Sequence, residues 1–341
     1  MSALPKISIR VDGSMTPMEC VEYARTADAG EFSGVWFAEN AFARGILPAA
    51  AACAVATKRL RINAGVFNPF NRHPAMMAME TGALDELSGG RAALSIGAGI
   101  MSATQKMGLN PEKPLLALRD TIEIVRALLR GEEADHVGPS FSAKKIRLDY
   151  RPRSDIPIFL AGRGNLTVKL AGEAADGLIV SNMCSVQFAG RVAELMQSSR
   201  IASGRTGFGE VIQFMPCSVS HDAGEAMKAA KSIVGDMLPR FWALGQKLGS
   251  AKEALLAGIG IDEAGLSKIA RRLSDGEDPA IVLDDGLTTA FSLAGTPEDC
   301  LSLARHYKAA GVTEIALTFT GPTAIEEILT LGKAIADEKR G

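Results

Sequence analysis

The chain has 341 residues, of which 47% are hydrophobic and 22% are charged, so it can bury a large core beneath a charged surface. Its net charge of -2 provides no field that would attract nucleic acid or an anionic membrane. Apolar runs such as residues 46–55 are shorter than the roughly 20 residues that cross a bilayer, and residues 1–10 lack the apolar core of a secretion signal. We therefore expect a cytoplasmic protein that binds neither nucleic acid nor membrane.

The cysteines and histidines indicate neither a disulfide framework nor a metal site. An odd number of cysteines cannot pair completely within one chain, and no Cys-x-x-Cys motif occurs, so we expect reduced thiols. A metal site would need clustered ligands, whereas the histidines are scattered singly, so we expect no bound metal. These residues are Cys20, Cys53, Cys184, Cys217 and Cys300, with His73, His136, His221 and His306.

In the first third of the chain, short apolar runs typical of strands alternate with longer helical segments. The runs begin near Ile7, Gly34, Arg61 and Arg91, at spacings of 27, 27 and 30 residues. These spacings suit a repeating unit of one strand, one helix and two loops. The order is that of βαβα folds.

Two of the intervening helices have recognisable ends. Residues 16–19, Thr-Pro-Met-Glu, place Thr at the N-cap, Pro at the first helical position and Glu at the third. This helix is expected to end at Gly30. A second helix begins at Pro74 and closes on the Ser-Gly-Gly of residues 88–90. We expect His73 to cap the backbone of this second helix rather than to donate a proton to a substrate.

The second half of the chain continues the alternation and completes eight strands, which begin near Ile156, Asp176, Val211 and Thr313. Eight buried strands interleaved with helices favour a closed (β/α)8 TIM barrel over an open sheet. We interpret residues 1–341 as one barrel domain. Residues 223–291 interrupt the rhythm and predict a helical insertion between the seventh and eighth strands. This insertion could supply a substrate pocket or an oligomer interface, or could be a packing accessory.

The strongest motif follows the third strand. Residues 68–74 read Asn-Pro-Phe-Asn-Arg-His-Pro, and residues 84–99 read LDELSGGRAALSIGAG. With Lys113-Pro114, Arg119-Asp120, AGEAADG at 171–177 and FSLAGTPED at 291–299, this set resembles the bacterial luciferase-like oxidoreductase superfamily. Within that superfamily it is most similar to the methylenetetrahydromethanopterin reductases.

The resemblance implies an enzyme that binds F420 or FMN, with NAD(P)H as a candidate reductant. With F420 the expected reaction is hydride transfer to a pterin one-carbon carrier or a similar small molecule. With reduced FMN, which can activate oxygen, the expected activity is that of a monooxygenase. The superfamily also implies a homodimer or a larger homo-oligomer.

Gly65 and Val66, near the end of the third strand, match a position where the superfamily has a cis peptide bond that does not precede proline. The resemblance implies that this bond forms a bulge behind the central ring of the coenzyme. The alternative is an ordinary glycine at the end of a strand.

Residues 158–165 run from a strand through a glycine-containing loop into a helix that begins near Leu166. Backbone N–H groups at a helix start attract phosphate, and glycines allow a close approach. Similar loops hold the coenzyme phosphate in the superfamily, and Arg163 could add a charged donor, although it could also simply be solvated. We predict coenzyme contacts from Ala161, Gly162, Arg163, Gly164 and Asn165.

Two further strand ends lie on the same rim of the predicted barrel. Gly97 ends the fourth strand, and Ser181 and Asn182 follow the sixth. Barrel enzymes bind ligands at this rim, so we predict that these three residues contact the coenzyme. The alternative is that each of them only forms a tight turn.

The sequence departs from the reductases at residues that position substrate or move protons. Arg10 stands where the reductases have an acid, Glu39-Asn40 where they have an Asp-His pair, and Ile100 where they have an Asp. We take Arg10, Glu39 and Asn40 as the catalytic candidates, with Glu39 as a general acid or base. Glu39 could instead form a salt bridge with Arg10. The three departures also leave open a catalytically inactive protein that binds a coenzyme.

Overall fold

The computed structural model describes residues 4–340, and within this range eleven strands alternate with fourteen helices. The strands are β1 Lys6–Asp12, β2 Gly34–Ala38, β3 Arg61–Phe67, β4 Ala92–Gly97, β5 Ala134–Val137, β6 Ser142–Ile146, β7 Ile158–Ala161, β8 Gly177–Val180, β9 Glu210–Val219, β10 Leu293–Gly295 and β11 Glu314–Thr318. The helices are α1 Pro17–Ala29, α2 Ile46–Ala56, α3 Pro74–Ser88, α4 Met101–Lys106, α5 Pro114–Leu129, α6 Asn165–Ala174, α7 Val186–Ala202, α8 Ala223–Gly245, α9 Gly249–Leu256, α10 Glu263–Ser274, α11 Pro279–Val282, α12 Asp285–Phe291, α13 Pro297–Ala309 and α14 Ala324–Arg340.

Eight parallel strands close into a barrel in the order β1-β2-β3-β4-β7-β8-β9-β11, with β11 returning to β1. These are the eight strands predicted from the sequence, so the (β/α)8 fold is confirmed. Strands β2, β4 and β8 are buried along their whole length. This burial is expected of a parallel sheet that is covered by helices outside and filled by side chains inside.

The predicted helix ends are also present. Thr16 Oγ1 accepts a hydrogen bond from the Glu19 N–H at 3.3 Å, and the Glu19 carboxylate accepts one from the Thr16 N–H at 2.6 Å. His73 Nδ1 accepts a hydrogen bond from the Ala75 N–H at 3.1 Å, which confirms its capping role at the start of α3. Both helices are therefore fixed at their first turn by side chains that satisfy otherwise unpaired N–H groups.

A buried polar network fills the barrel at the N-terminal ends of its strands. The Glu314 carboxylate accepts hydrogen bonds from Ser8, Trp36 and Arg61, each at 2.5 Å. Arg61 also pairs with Glu210 at 2.9 Å. The Arg61 guanidinium therefore has a partner on each side, and Glu314, which is 1% exposed, has its charge compensated.

The motif at residues 84–99 serves the fold. Asp85 accepts two hydrogen bonds from Arg153, at 3.0 and 3.1 Å, and one from the Ala92 N–H at 3.0 Å. Arg91 donates to the carbonyl oxygens of Ala54, Thr57 and Leu60, at 2.6 to 3.0 Å. These contacts join α2, α3 and β4, so Asp85 and Arg91 of this motif stabilise the fold rather than take part in the chemistry.

The helical insertion predicted between the seventh and eighth barrel strands is confirmed, and it consists of α8 to α12. Its helices pack around a separate apolar cluster that includes Leu238, Leu255, Leu266 and Phe291. The sequence did not predict the short strand β10, which pairs with β9, or the hairpin of β5 and β6. The hairpin is held by Asp120, whose carboxylate accepts hydrogen bonds from the backbone of residues 140 and 141.

Within residues 4–340 no helix combines the length and the hydropathy that a membrane span requires. The described residues also contain no group of three or more His, Cys, Asp and Glu side chains placed to hold a metal ion.

Candidate active site

A cavity of about 400 Å³ opens at the C-terminal ends of the barrel strands. Its floor is apolar, and the polar side chains stand around its rim. The floor residues come from five strands or strand ends, namely Ala38, Val66, Ala161, Ile179 and Phe214. Of the residues predicted from the sequence, the cavity is lined by Arg10, Glu39, Asn40, Val66, Ala161, Ser181 and Asn182, together with Ile100.

Gly65 lies directly behind this floor, and the Gly65-Val66 peptide bond is cis. The cis bond implied by the resemblance is therefore confirmed. Gly65 has a φ of 137°, and a Cβ atom there would lie 2.2 Å from the carbonyl oxygen of Ser95. Only glycine fits such a position. The Gly65 carbonyl accepts a hydrogen bond from the Glu39 N–H at 3.1 Å, which ties the bulge to the neighbouring strand end.

Gly97 shapes the same floor from the next strand. A Cβ atom on Gly97 would lie 2.7 Å from Cγ1 of Val66. Two residues later, Gly99 has a φ of 70°, and a Cβ atom there would lie 2.4 Å from the amide of Asn68. That amide donates to Thr104 at 2.8 Å. Gly97 thus leaves room for the Val66 side chain, and Gly99 both lines the cavity and has the positive φ of a tight turn.

The predicted phosphate loop lies beside the cavity, at the start of α6. Gly164 is the N-cap residue and provides no side-chain cap. The Asn165 side chain is exposed and accepts a hydrogen bond from Arg191 at 3.0 Å. The group of Asn165 that is left to bind an anion is therefore its backbone N–H. The Gly162 N–H is already bonded to the Ile179 carbonyl at 3.1 Å. The remaining N–H groups at this helix start are available to an anion.

Arg163 links this loop to the cavity and to the insertion. Its Nη2 donates to the Asn182 carbonyl at 2.9 Å, and its guanidinium lies 5.0 Å from the centre of the Phe241 ring on α8. Arg163 Nη1 and Asn182 Oδ1 are buried and have no hydrogen-bond partner among the described residues. A buried donor and a buried acceptor left unpaired side by side fit a ligand that carries an anion and hydroxyl groups, as a flavin or deazaflavin coenzyme does.

On the opposite side of the cavity, Arg10 is held on β1 by Asp12 and Thr318. Its Nη1 lies 3.4 Å from Asp12 Oδ2 and 3.2 Å from Thr318 Oγ1. Burial lowers the pKa of Arg10, and the Asp12 charge opposes this effect. Burial alone would raise the pKa of Asp12, but hydrogen bonds from Ser14 and the charge of Arg10 hold it below its ordinary value.

The alternative prediction, that Glu39 forms a salt bridge with Arg10, is wrong. Glu39 lies 3.4 Å from Arg72, which also pairs with Glu80 at 2.5 Å. The chain turns after β2 so that Glu39 faces the start of α3 and Arg10 faces β11. Burial raises the pKa of Glu39, with the Arg72 charge acting against the shift. Glu39 is thus a partly buried carboxyl group with one weak cationic partner.

Sequence reasoning missed several residues of the cavity. Asn68 and Asn71 belong to the motif after the third strand and could have been named from it. Phe214 lies inside β9, and only its inward position in the strand alternation would have indicated it. Phe42 and Arg44 stand in an exposed loop whose sequence has no recognisable pattern.

The chain matches the family model described as luciferase-like monooxygenase over residues 2–314. It is 27% identical to a 5,10-methylenetetrahydromethanopterin reductase of Methanolobus tindarius over 322 residues, which is 93% of this chain and 95% of the relative. It is 28% identical to an F420-dependent glucose-6-phosphate dehydrogenase of Microbacterium testaceum, over 49% of this chain and 53% of the relative.

Solved structures agree on the fold. The F420-dependent tetrahydromethanopterin reductase of Methanopyrus kandleri superposes with a TM-score of 0.84 at 23% identity, covering 98% of this chain and 99% of that one. An F420-dependent secondary alcohol dehydrogenase superposes with a TM-score of 0.76 at 19% identity, over 98% and 99% of the two chains. The chain therefore belongs to the luciferase-like monooxygenase family and is an oxidoreductase of that family.

Proposed function

We propose that the protein transfers a hydride between F420 and a small molecule bound in the cavity at the strand ends. The observation that carries the proposal is the unpaired Arg163 Nη1 beside the uncapped start of α6, next to a cavity with an apolar floor. F420 is favoured over FMN because both the tetrahydromethanopterin reductase and the glucose-6-phosphate dehydrogenase that the chain resembles are F420-dependent enzymes. These relatives give no support to NAD(P)H as the reductant.

F420 would supply the hydride chemistry, since ordinary amino-acid side chains do not carry hydrides. Val66, backed by Gly65, would support one face of the coenzyme ring system. Arg163 and the backbone N–H groups that open α6 would hold its phosphate. Ser181 and Asn182 lie between these two regions and would bind the polar part of the coenzyme that connects its ring system to its phosphate.

Glu39 would handle a proton at the substrate. It lines the cavity, its side chain is 17% exposed, and burial raises its pKa above the ordinary value of glutamate. A protonated carboxyl group can donate to an oxygen or nitrogen atom that gains electrons during hydride transfer. Asn40 would orient the same atom by hydrogen bonding, although it cannot exchange a proton.

A pterin one-carbon carrier or a similar small molecule remains the proposed substrate class. The rim of this cavity differs from that of the reductases at Arg10, Asn40 and Ile100. These residues are therefore also compatible with hydride transfer to or from a molecule other than the substrate of the reductases. The single-domain organisation and the homodimer or larger assembly stay predictions.

The test is a titration of the purified protein with F420 and with FMN, followed by fluorescence and calorimetry. We expect F420 to bind, and Arg163→Gln to weaken binding by about tenfold or more through the loss of a charge-assisted hydrogen bond. Lys169→Gln is the matched control, because Lys169 is exposed on α6, the helix that follows the Arg163 loop, and this substitution also removes one positive charge. Its affinity for F420 should equal that of the wild type.

The other outcomes distinguish the alternatives. Tight binding of FMN with no binding of F420 would replace the proposal with an FMN-dependent monooxygenase. Binding of F420 without reduction of the coenzyme by any substrate in a broad panel of alcohols and reduced pterins would favour an inactive coenzyme-binding protein. If neither coenzyme binds, the proposed function is wrong.

A further inference from the structure

Arg10 lines the cavity, and one edge of its guanidinium is unpaired among the described residues. Both hydrogen bonds of its guanidinium within the described residues, to Asp12 and Thr318, come from Nη1. Nε is buried and has no partner among these residues, and no hydrogen bond from Nη2 to them is formed. Arginine has five N–H donors, so the edge formed by Nε and Nη2 keeps three of them without an acceptor.

The surroundings of this edge are apolar and fixed. The guanidinium lies 5.4 Å from the centre of the Phe214 ring, and Phe214 belongs to the floor of the cavity. The Arg10 side chain is only 12% exposed. Unpaired donors of a buried cation are costly, and stacking on an aromatic ring restricts the plane in which they point. The edge is therefore both poorly satisfied and well oriented.

Neither of the two nearby carboxylates accepts a hydrogen bond from this edge. Asp12 Oδ1 accepts hydrogen bonds from the Ser14 backbone at 2.9 Å and from the Ser14 hydroxyl at 2.6 Å, and Asp12 Oδ2 contacts Arg10 only at Nη1, at 3.4 Å. Glu39, the carboxylate that lines the cavity, faces Arg72 instead. Among the described residues the missing acceptor of Arg10 is thus not supplied by either of these groups.

We propose that the Nε and Nη2 edge of Arg10 binds an oxoanion of the substrate, either a carboxylate or a phosphate. This inference rests on the proposed function, because it names the class of molecule that occupies the same cavity. Two parallel N–H groups on one edge match two oxygens of an oxoanion, which is the arrangement in which arginine binds such groups best. The anion would fix one end of the substrate at the floor, and the remainder would extend beneath the rim that carries Glu39.

The test measures binding of short carboxylic acids, each compared with its uncharged amide, and of inorganic phosphate as a separate series. Calorimetry is run on the coenzyme-free protein and on the protein loaded with F420. We expect one of the two anion series to bind, with each neutral analogue weaker by about tenfold or more. Arg10→Met should abolish this preference, and Arg10→Lys should keep part of it because lysine retains the charge without the paired donors.

Lys106→Gln is the matched control. Lys106 is exposed on α4, near the cavity, but it does not line the cavity. The control should keep the affinity for the anion within about twofold, since it removes charge without removing the paired donors. Circular dichroism establishes that each variant is folded, and Arg10→Lys supplies the answer if Arg10→Met does not fold.

The results separate this inference from the proposed function. Anion binding that depends on Arg10 in a protein that binds neither F420 nor FMN would support the oxoanion site and reject the coenzyme. Anion binding that is equal in the wild type and in both Arg10 variants would overturn the inference, as would the absence of any anion binding by the wild type. A change in the reduction potential of bound F420 in Arg10→Lys, without a change in anion affinity, would assign Arg10 to the coenzyme and likewise overturn it.

Discussion

Gly97→Ala tests whether Val66 forms the support for the coenzyme. The added methyl group would lie 2.7 Å from Val66 Cγ1, whereas carbon atoms in contact are about 3.5 to 4.0 Å apart. One of the two groups must therefore move by about 1 Å. Strand β4 is hydrogen-bonded on both sides, to β3 and β7, so it cannot retreat. Val66 is the group expected to move, and its side chain lines the cavity.

Overpacking of this size costs about 1–3 kcal/mol of unfolding free energy. For a chain of this length such a loss lowers Tm by a few degrees, so Gly97→Ala should remain folded. Its affinity for F420 should fall by about tenfold or more, because the surface that meets the ring is displaced. Thermal unfolding and fluorescence titration measure the two effects separately.

Gly249→Ala is the control for the change from glycine to alanine. Gly249 begins α9, and a Cβ atom there would meet no other atom within 4 Å. We expect an unchanged or slightly higher Tm and the F420 affinity of the wild type. If Gly97→Ala loses stability but binds F420 as tightly as this control does, Val66 is not the support, and our reasoning about the floor is refuted.

Three further changes test other parts of the structure. Because burial raises the pKa of Glu39, the pH dependence of activity should show a limb above the ordinary glutamate range, and Glu39→Gln should lose it. The native Glu39 carboxyl holds its proton to a higher pH than the unfolded one does. The wild type should therefore lose stability relative to Glu39→Gln as the pH rises from the ordinary glutamate pKa through the raised value. Urea unfolding at several pH values would contradict this if the unfolding free energies of the two proteins change with pH in parallel. Asp85→Ala should lower the unfolding free energy by roughly 2–4 kcal/mol, because Arg153 loses a two-bond partner, and urea unfolding without such a loss would show that this pair is dispensable. Phe241→Ala should weaken F420 binding several-fold by releasing Arg163 while leaving the barrel folded, and an unchanged dissociation constant would separate the insertion from the coenzyme site.

The barrel was predictable because its signals are local. Each strand is a short apolar run, and helix ends such as Thr16-Pro17 and Gly30 carry their own hydrogen-bonding pattern. Strand β10 and the hairpin were not predictable in this way. Residues 293–295 are too few to show an alternation, and the hairpin is held by Asp120, whose partners lie about 20 residues further along the chain.

The candidate site was predictable only in part. Residues at strand ends, such as Val66 and Asn182, could be assigned to the cavity because every parallel strand of a barrel ends on the same rim. The partners of Arg10 and Glu39 could not be assigned, since they depend on how the chain turns after β1 and β2. Proximity in the barrel suggested that these two residues pair, but Arg72, from the turn before α3, is the partner of Glu39.

The polar network around Glu314 constrains how the strands can align. Its donors Ser8, Trp36 and Arg61 stand on three successive strands, β1, β2 and β3, and all point into the barrel. A slip of one residue in any of these strands would turn its donor toward the outer helices and leave the carboxylate unpaired in an apolar interior. The network therefore fixes the register of these strands and with it the alignment of their opposite ends, where Arg10, Glu39 and Val66 line the cavity.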